Sequence, residues 1–396
     1  MRDIHMPVWL GASSVSRAVV FSTLFFMEAF ARTVLLAVIP LQALRLMGDA
    51  QQVSTVYFVA GLIGVLASLT IPWLVRRIRR RTVLSFGILS MIFSAVMFGM
   101  QEPAALVVGL AFQAFATTSI AITLNLYVMD HIARREMNRF EPFRMFLSAS
   151  AWAIGPWLGV WLAVNASQYA AFGVSAGASL VMLAFFWFLR ITDNPAVASA
   201  PLRSPNPLRY LPRFFAQPRL RLSWFLAFGR SAWWQLFFVY APIYAVSNGF
   251  DEVAGGAIVS IGSLSLYLVP LWGWVGRRFG LRMLLIIGFA SAGILTMAIA
   301  LTSGLPWVGA ALIVGAALGA SLVDGGGNVP FLRAVRPFER AEMTTVFMTY
   351  RNASQFGPPG VYAFLLRSYE LPAVFLAGGI MTLSMAALSG FIHRRM

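Results

Sequence analysis

Five ionisable side chains interrupt stretches that are otherwise apolar: Glu28, Arg32, Arg230, Asp324 and Arg351. At the centre of a membrane helix each costs at least ~2.5–3.5 kcal/mol, so each marks a candidate functional group. Glu28 and Arg32 are four residues apart and share one helical face, where carboxylate and guanidinium can pair. A carboxylate in that position can take and release a proton as a solute competes for the site, which makes Glu28 and Asp324 candidate proton-coupling residues. The alternative for Glu28 is a permanent ion pair that only fixes helix register. Arg32, Arg230 and Arg351 outnumber the two acids, and a guanidinium fork can hold a carboxylate or phosphate by two parallel hydrogen bonds.

The neighbours of these charges extend the pattern. Asp324 precedes Gly325, Gly326, Gly327 and Asn328, a run that invites a bend or an unwound turn, so it is a proton site or a helix-end cap. Arg351, Asn352 and Gln355 form a polar turn before Gly357-Pro358-Pro359-Gly360, suited to anion binding or to pairing with Asp324 or Glu28. Ser260, Ser263 and Tyr267 make a stripe at helical spacing, and Tyr240 with Tyr244 and Gln113 with Thr117 make two shorter ones. Each can line a cavity, although hydroxyl side chains in membrane helices also bond to their own backbone.

Other chemistry is excluded. There are 30 basic residues, all arginine, and no cysteine. A phosphate-cradling loop that ends in Lys-Ser or Lys-Thr cannot be built without lysine, and thiolate metal sites and cysteine nucleophiles are ruled out. His5, His131 and His393 are all expected at or near the cytoplasmic surface, so no metal or nucleophilic triad is assembled. No cofactor and no enzymatic activity are expected, and energy has to come from an ion or solute gradient.

The elements that position these residues follow from composition. Of the 396 residues 59% are hydrophobic and 11% charged, too few charges to coat a soluble fold. Twelve stretches reach the ~20 apolar residues a membrane span needs: about 18–46, 53–75, 82–100, 104–128, 143–164, 167–190, 221–247, 252–275, 282–302, 305–327, 343–366 and 371–391. The first is too long for a signal-peptide core and is expected to be retained. With the N-terminus inside, twenty-five of the thirty arginines fall in loops on that side and only Arg45 and Arg367 opposite. The positive-inside rule then places both termini in the cytoplasm. The net charge of +16 is therefore read as topology, and no nucleic-acid partner is expected.

The central connection, 191–220, begins as a Pro-, Ala- and Ser-rich linker and ends in LRYLPRFFAQPRLRL, an amphipathic segment suited to the inner leaflet. It separates two similar halves. PWLVRRIRRRTVLSFG (72–87) aligns with GWVGRRFGLRMLLIIG (273–288), pairing Trp73 with Trp274, Arg81 with Arg282 and Gly87 with Gly288. At nearly the same offset IGP (154–156) falls on FGP (356–358) and Pro40 on Pro242. An even number of spans per half makes the repeats parallel. The expected organisation is an all-α polytopic membrane protein: a six-helix bundle over 1–190, a cytoplasmic linker over 191–220 and a second six-helix bundle over 221–396.

Span count, central loop and repeat resemble the major facilitator superfamily of secondary transporters. The family's loop motif between spans 2 and 3 keeps Arg77, Arg80 and Arg81 in the first copy and Gly273, Arg278, Gly280 and Arg282 in the second. Arg76 and Arg277 stand where its Asp would be, and in the family that Asp helps hold the cytoplasmic side closed. Gly155-Pro156-Trp157-Leu158-Gly159 is similar to the core of the family's antiporter motif, with Val160 replacing its last Gly.

The resemblance implies gating roles for Arg77, Arg81, Gly155, Pro156, Gly159, Gly273, Arg278, Arg282, Gly357 and Pro358. It also implies that spans 1 and 7 face each other. In the Pro40–Pro242 register Glu28 maps onto Arg230 and Arg32 onto Trp234, so a cluster of Glu28, Arg32 and Arg230 is expected. Gln113, Trp234, Tyr240, Tyr267, Asn352 and Gln355 would join the three arginines around a small-molecule substrate.

The function expected is alternating-access transport of a small organic solute across a bacterial inner membrane by a monomer, as proton-coupled antiport in the direction of efflux. The competing readings are an organic-anion carrier that uses the intramembrane arginines and a membrane sensor or enzyme that does not transport.

Overall fold

The computed structural model describes residues 15–132, 136–189, 207–302, 304–336 and 339–392. Arg2, His5, Arg134, Arg135, linker residues 190–206, His393, Arg394 and Arg395 lie outside them, as do the side chains of Pro72, Trp73, Arg76, Arg139 and Arg209. The protein is all-α, with no strand among the described residues.

In chain order the helices are α1 (Val15–Thr33), α2 (Val38–Met47), α3 (Ala50–Arg77), α4 (Arg80–Gly99), α5 (Pro103–His131), α6 (Met137–Asn165) and α7 (Ala170–Phe188). A short α8 (Pro207–Phe215) leads into α9 (Pro218–Ser247), α10 (Glu252–Leu264), α11 (Val269–Phe279), α12 (Leu281–Ile299) and α13 (Pro306–Gly326). The chain continues with α14 (Val329–Ala334), α15 (Arg340–Phe347), α16 (Thr349–Leu365) and α17 (Pro372–Ser389).

Nine helical segments among the described residues are long and apolar enough to cross a membrane, some of them broken helices such as Arg17–Met47 and Glu252–Phe279. The other three expected spans fall on helices too: α3, α9 and α15 with α16. These helices carry Ser54, Tyr57, Arg230, Arg351, Asn352 and Gln355.

The breaks have one cause. A proline ring collides with the carbonyl four residues earlier and removes a hydrogen bond from the helix ladder. Pro40 lies four residues after Leu36, inside the turn at 34–37 that separates α1 from α2. Pro270 lies four after Leu266, inside the 3₁₀ turn Ser265–Leu268 between α10 and α11. Pro330 lies four after Gly326, the last residue of α13, where Gly327 adopts φ +50°. The middle break places Tyr267, the last residue of the serine–tyrosine stripe, in the 3₁₀ turn.

The chain divides into two compact units: Met1–Leu46 with Ile63–Leu202, and Met47–Leu62 with Arg203–Met396. In the first, α1, α4, α5 and α7 enclose Phe21, Leu24, Leu84, Ile88, Ile120, Leu124, Tyr127, Met182 and Phe186. Buried hydroxyls stitch the backbones together: Thr33 donates to the Ala151 carbonyl at 2.9 Å and Ser175 to that of Ala31 at 2.7 Å. In the second, α9, α12, α13 and α17 enclose Leu226, Leu281, Leu285, Phe289, Val323 and Met385. Gly87 of α4 lies against Ser119 and Ile120 of α5, and Gly288 of α12 lies against Gly319 and Val323 of α13, so the repeat extends to helix packing.

The described part of the linker region packs into the second unit. Phe214 of α8 is fully buried with Phe331, Met343, Phe347 and Tyr350, and Arg213 pairs with Glu339 at the start of α15. A second ion pair missed in the sequence joins Arg80, the first residue of α4, to Asp130 near the end of α5 at 2.6 Å, both nearly inaccessible.

Gly155 and Gly159 of α6 face the α1–α2 break. A Cβ on Gly159 would overlap the Val34 carbonyl, and one on Gly155 would overlap Thr33. Gly159→Ala is therefore expected to destabilise the protein by ~1–3 kcal/mol, read as a lower thermal unfolding midpoint in detergent. Gly173→Ala, at a position where an added Cβ meets nothing within 4 Å, should melt like the parent.

Candidate functional site

The five intramembrane charges resolve into two pairs and one remainder. In the first unit Arg32 donates Nε to Glu28 Oε1 at 3.0 Å, one turn apart on α1 as their spacing predicts. The guanidinium of Arg32 also lies 4.7 Å from the ring centre of Trp152 on α6. A cation over an aromatic face adds attraction without adding charge. Beside them Arg144 pairs with Glu141 and lies 4.8 Å above the Phe25 ring.

In the second unit the partner of Arg230 is Asp324. Arg230 Nε lies 3.6 Å from Asp324 Oδ1, and Trp234 Nε1 donates to Asp324 Oδ2 at 2.7 Å. Both donors sit one turn apart on α9 and address one carboxylate on α13. Asp324 therefore does not cap the end of its helix, one of the two roles weighed for it. The turn at Gly327 brings Asn328 alongside, and Arg230 donates to its Oδ1 at 3.1 Å. Arg230 also reaches the Tyr350 hydroxyl at 3.4 Å. A cavity of about 10 Å³, room for one water, has Arg230, Asn328, Ser223 and Phe331 on its wall.

Arg351 is the remainder. Its Nε donates to the Tyr350 hydroxyl at 3.3 Å, so two guanidinium groups converge on one phenol oxygen. Among the described residues Arg351 has no carboxylate partner within 4.0 Å. It is exposed, as is Gln355 one turn away. Nearby, Ser354 donates to Ser231 at 2.7 Å and ties α16 to α9.

The remaining expected residues are placed as follows. Trp234 stacks on Phe238 at 5.4 Å beside Asp324. Thr117 bonds to the backbone carbonyl of Gln113, the packing role, and Gln113 is half-buried. Tyr240 is fully buried against Ser54 rather than lining open space. Tyr244 turns to Thr302 and the Pro306 carbonyl. Tyr267 and Asn352 lie on the 3₁₀ turn and on α16.

Of the gating candidates, Arg81 lies 5.9 Å from the Trp187 ring and Arg278 5.4 Å from that of Trp274. Gly273 and Arg282 lie on α11 and α12, Gly357 faces Phe228, and Pro156 and Pro358 lie within α6 and α16. Arg77 ends α3. Among the described residues no three His, Asp or Glu side chains converge as a metal ligand set.

Sequence reading missed Asn328, Tyr350, Trp152 and Ser54. Asn328 and Tyr350 had a usable signal, since one follows Asp324 by four residues and the other precedes Arg351.

The sequence matches the profile of the Major Facilitator Superfamily over residues 21–359. The chain belongs to this superfamily. It is a transporter and not an enzyme, and a multi-pass membrane protein. A search of curated proteins finds no match to the sequence.

Solved structures share the fold at low identity. The peptide transporter POT in complex with sulfate aligns at TM-score 0.76 and 15% identity over 96% of this chain and 94% of that one. A POT family transporter in complex with 5-aminolevulinic acid aligns at 0.77 and 12%, covering 94% of each chain. The nucleoside transporter NupG aligns at 0.73 and 15% over 94% of this chain and 98% of its own.

Breaking one partner of a buried pair strands the other charge at ~3–5 kcal/mol. The Arg230 and Asp324 side chains are 13% and 21% exposed, which places Asp324→Asn near the lower end, about 3 kcal/mol. Arg230→Gln added to Asp324→Asn should recover most of that loss in thermal unfolding. Additive losses would show that the two side chains are not coupled.

Proposed function

We propose that this transporter moves a small organic solute bearing a carboxylate or phosphate ester across the inner membrane, by alternating access of its two six-helix repeats, with both termini cytoplasmic. The observation that carries the reading is Arg351. It is an exposed cation on a membrane helix whose guanidinium donates, among the described residues, to the Tyr350 phenol, which Arg230 also reaches. A cation in that setting gains most from an anionic ligand, which a guanidinium can hold by two hydrogen bonds. Trp234, Phe238 and Gln355 supply aromatic and polar surface for the rest of the solute.

A screen of carboxylates and phosphate esters against neutral and cationic compounds, read as thermal stabilisation of the purified protein, tests this. A ligand present at a hundred times its Kd stabilises by about 2.7 kcal/mol. Anions should give the shift, and Arg351→Gln should remove it. A hit list of cations that survives Arg351→Gln would overturn the anion assignment.

Proton coupling is a second reading, supported by the pairing of each intramembrane carboxylate with an arginine. An anionic solute that competes for Arg230 or Arg32 would release Asp324 or Glu28 to take a proton, and export by antiport follows if solute and proton occupy the site in turn. In proteoliposomes Glu28→Gln should abolish flux driven by a pH gradient while solute exchange persists. Unchanged gradient dependence would remove Glu28 from the coupling role.

A further inference from the structure

Four aromatic rings on α9 form a braced lattice in the second unit. Trp233 and Phe237 are buried and stack on each other at 5.5 Å, and Trp233 Nε1 donates to Thr296 Oγ1 of α12 at 2.9 Å. Trp234 and Phe238, each one residue further along, stack at 5.4 Å with their planes 21° apart. The inner pair meets the outer pair edge-on, Trp233 against Trp234 at 5.1 Å, and Phe237 against Trp234 at 5.5 Å and Phe238 at 5.2 Å. The outer pair is only half-buried. Bracing of this kind locks its rotamers, so the outer rings offer a contact surface with little freedom left to lose on binding.

The outer pair is tied to the charged groups. Trp234 Nε1 donates to Asp324 Oδ2 at 2.7 Å, so the indole is pinned by the carboxylate that pairs with Arg230. Arg230 lies one turn before Trp234, about 6 Å along the helix axis, and reaches the Tyr350 hydroxyl on which Arg351 converges. Core filling accounts for the inner rings. The outer rings stay half-buried and abut the ion pair instead, the arrangement of a platform on which a planar group can lie. With Asp324 ionised, Arg230, Asp324 and Arg351 sum to a single positive charge. A solute with one negative charge neutralises that sum, whereas a phosphate monoester, at about −1.5 to −2 near neutral pH, overshoots it.

We propose that the solute is an aromatic monocarboxylate, its carboxylate held by Arg351 and its ring laid on Trp234 and Phe238. The inference rests on the anion reading given above and narrows it to one class. Arg351 selects for charge, and Trp234 with Phe238 selects for a flat, unsaturated ring. The selection has a physical basis: ring-on-ring contact adds a quadrupole attraction beyond buried area, and a saturated ring of the same size receives only the area.

The test is a series of phenyl-substituted carboxylates, with one to four methylenes between ring and carboxylate, each matched to its cyclohexyl counterpart. Binding to the purified protein is measured by calorimetric titration. The best phenyl acid should bind about five-fold tighter than its cyclohexyl match, within the range that ring-on-ring contact supplies. Trp234→Leu should bring that ratio to about one while the cyclohexyl acid still binds. Phe238→Leu should lower the ratio too, and serves where loss of the indole donor to Asp324 prevents folding. Arg351→Gln should remove binding of both acids. Cyclohexyl acids that bind as well as phenyl acids, or a phenyl preference that survives both platform substitutions, would overturn the aromatic assignment and leave the anion reading standing. Failure of every phenyl acid to bind, whether or not phenyl phosphate does, would overturn it as well. Phenyl amines of the same lengths that bind as tightly, and still bind after Arg351→Gln, would instead overturn the anion reading itself.

Discussion

An ionised side chain in hydrocarbon persists only where something compensates it, and that constraint organises this protein. Glu28 is answered by Arg32 on its own helix. Arg230 is answered across two helices by Asp324, with Trp234 and Asn328 occupying the hydrogen-bonding capacity the ion pair leaves over. These contacts depend on backbone geometry: the turn at Gly327 after α13 brings Asn328 to Arg230, and α9 presents positions 230 and 234 to one carboxylate. Arg351 is compensated least, by a phenol it shares with Arg230. The site is therefore organised around a surplus of positive charge in the second unit.

The same polar groups make their helices poor membrane spans by composition. The helices α9 and α16 carry Arg230 and the exposed Arg351, and neither is among the segments of the described residues apolar enough to qualify alone. They are held by neighbours instead, through Thr296 to Trp233, Ser354 to Ser231 and Trp224 to Thr349. Low hydropathy in a stretch that still has helical length points toward the working part of such a protein. The proline-sited breaks act in the same sense, since each leaves a turn at which a helix can change direction without losing further hydrogen bonds.

How much of this was legible in the sequence depended on range. Glu28 and Arg32 could be paired from spacing because both partners lie on one helix. The expected grouping of Glu28 with Arg230 rested on register between repeats, and register does not reveal which side chain a third helix will offer. Asp324 supplied that partner from α13, ninety-four residues from Arg230. The buried pair of Arg80 and Asp130 escaped for the same reason, as did Arg213 with Glu339: both looked like loop charges. The 3₁₀ turn under Tyr267 was not legible either, because it follows from Pro270 further along the helix. The repeat itself was readable from Gly87 and Gly288, since both are demanded by the same helix crossing. The grouping of residues 47–62 with the second unit was not, because it breaks the symmetry that the repeat implies.

Every intramembrane cation here is arginine, with no lysine available to take its place. Lysine can surrender its proton when desolvated, whereas guanidinium keeps its charge throughout. The two intramembrane pairs can consequently change net charge in one direction only. Under the proton-coupling reading proposed above, a carboxylate of either pair that took a proton would leave its pair at +1, and no step would make it negative. A site restricted in this way is sensitive to voltage: a full elementary charge moved across 100 mV is worth about 2.3 kcal/mol. With the interior negative, the field draws a protonated, positively charged site inward and leaves the neutral one indifferent. Under that reading, the choice of arginine would give the membrane potential a handle on the protonated half of the cycle.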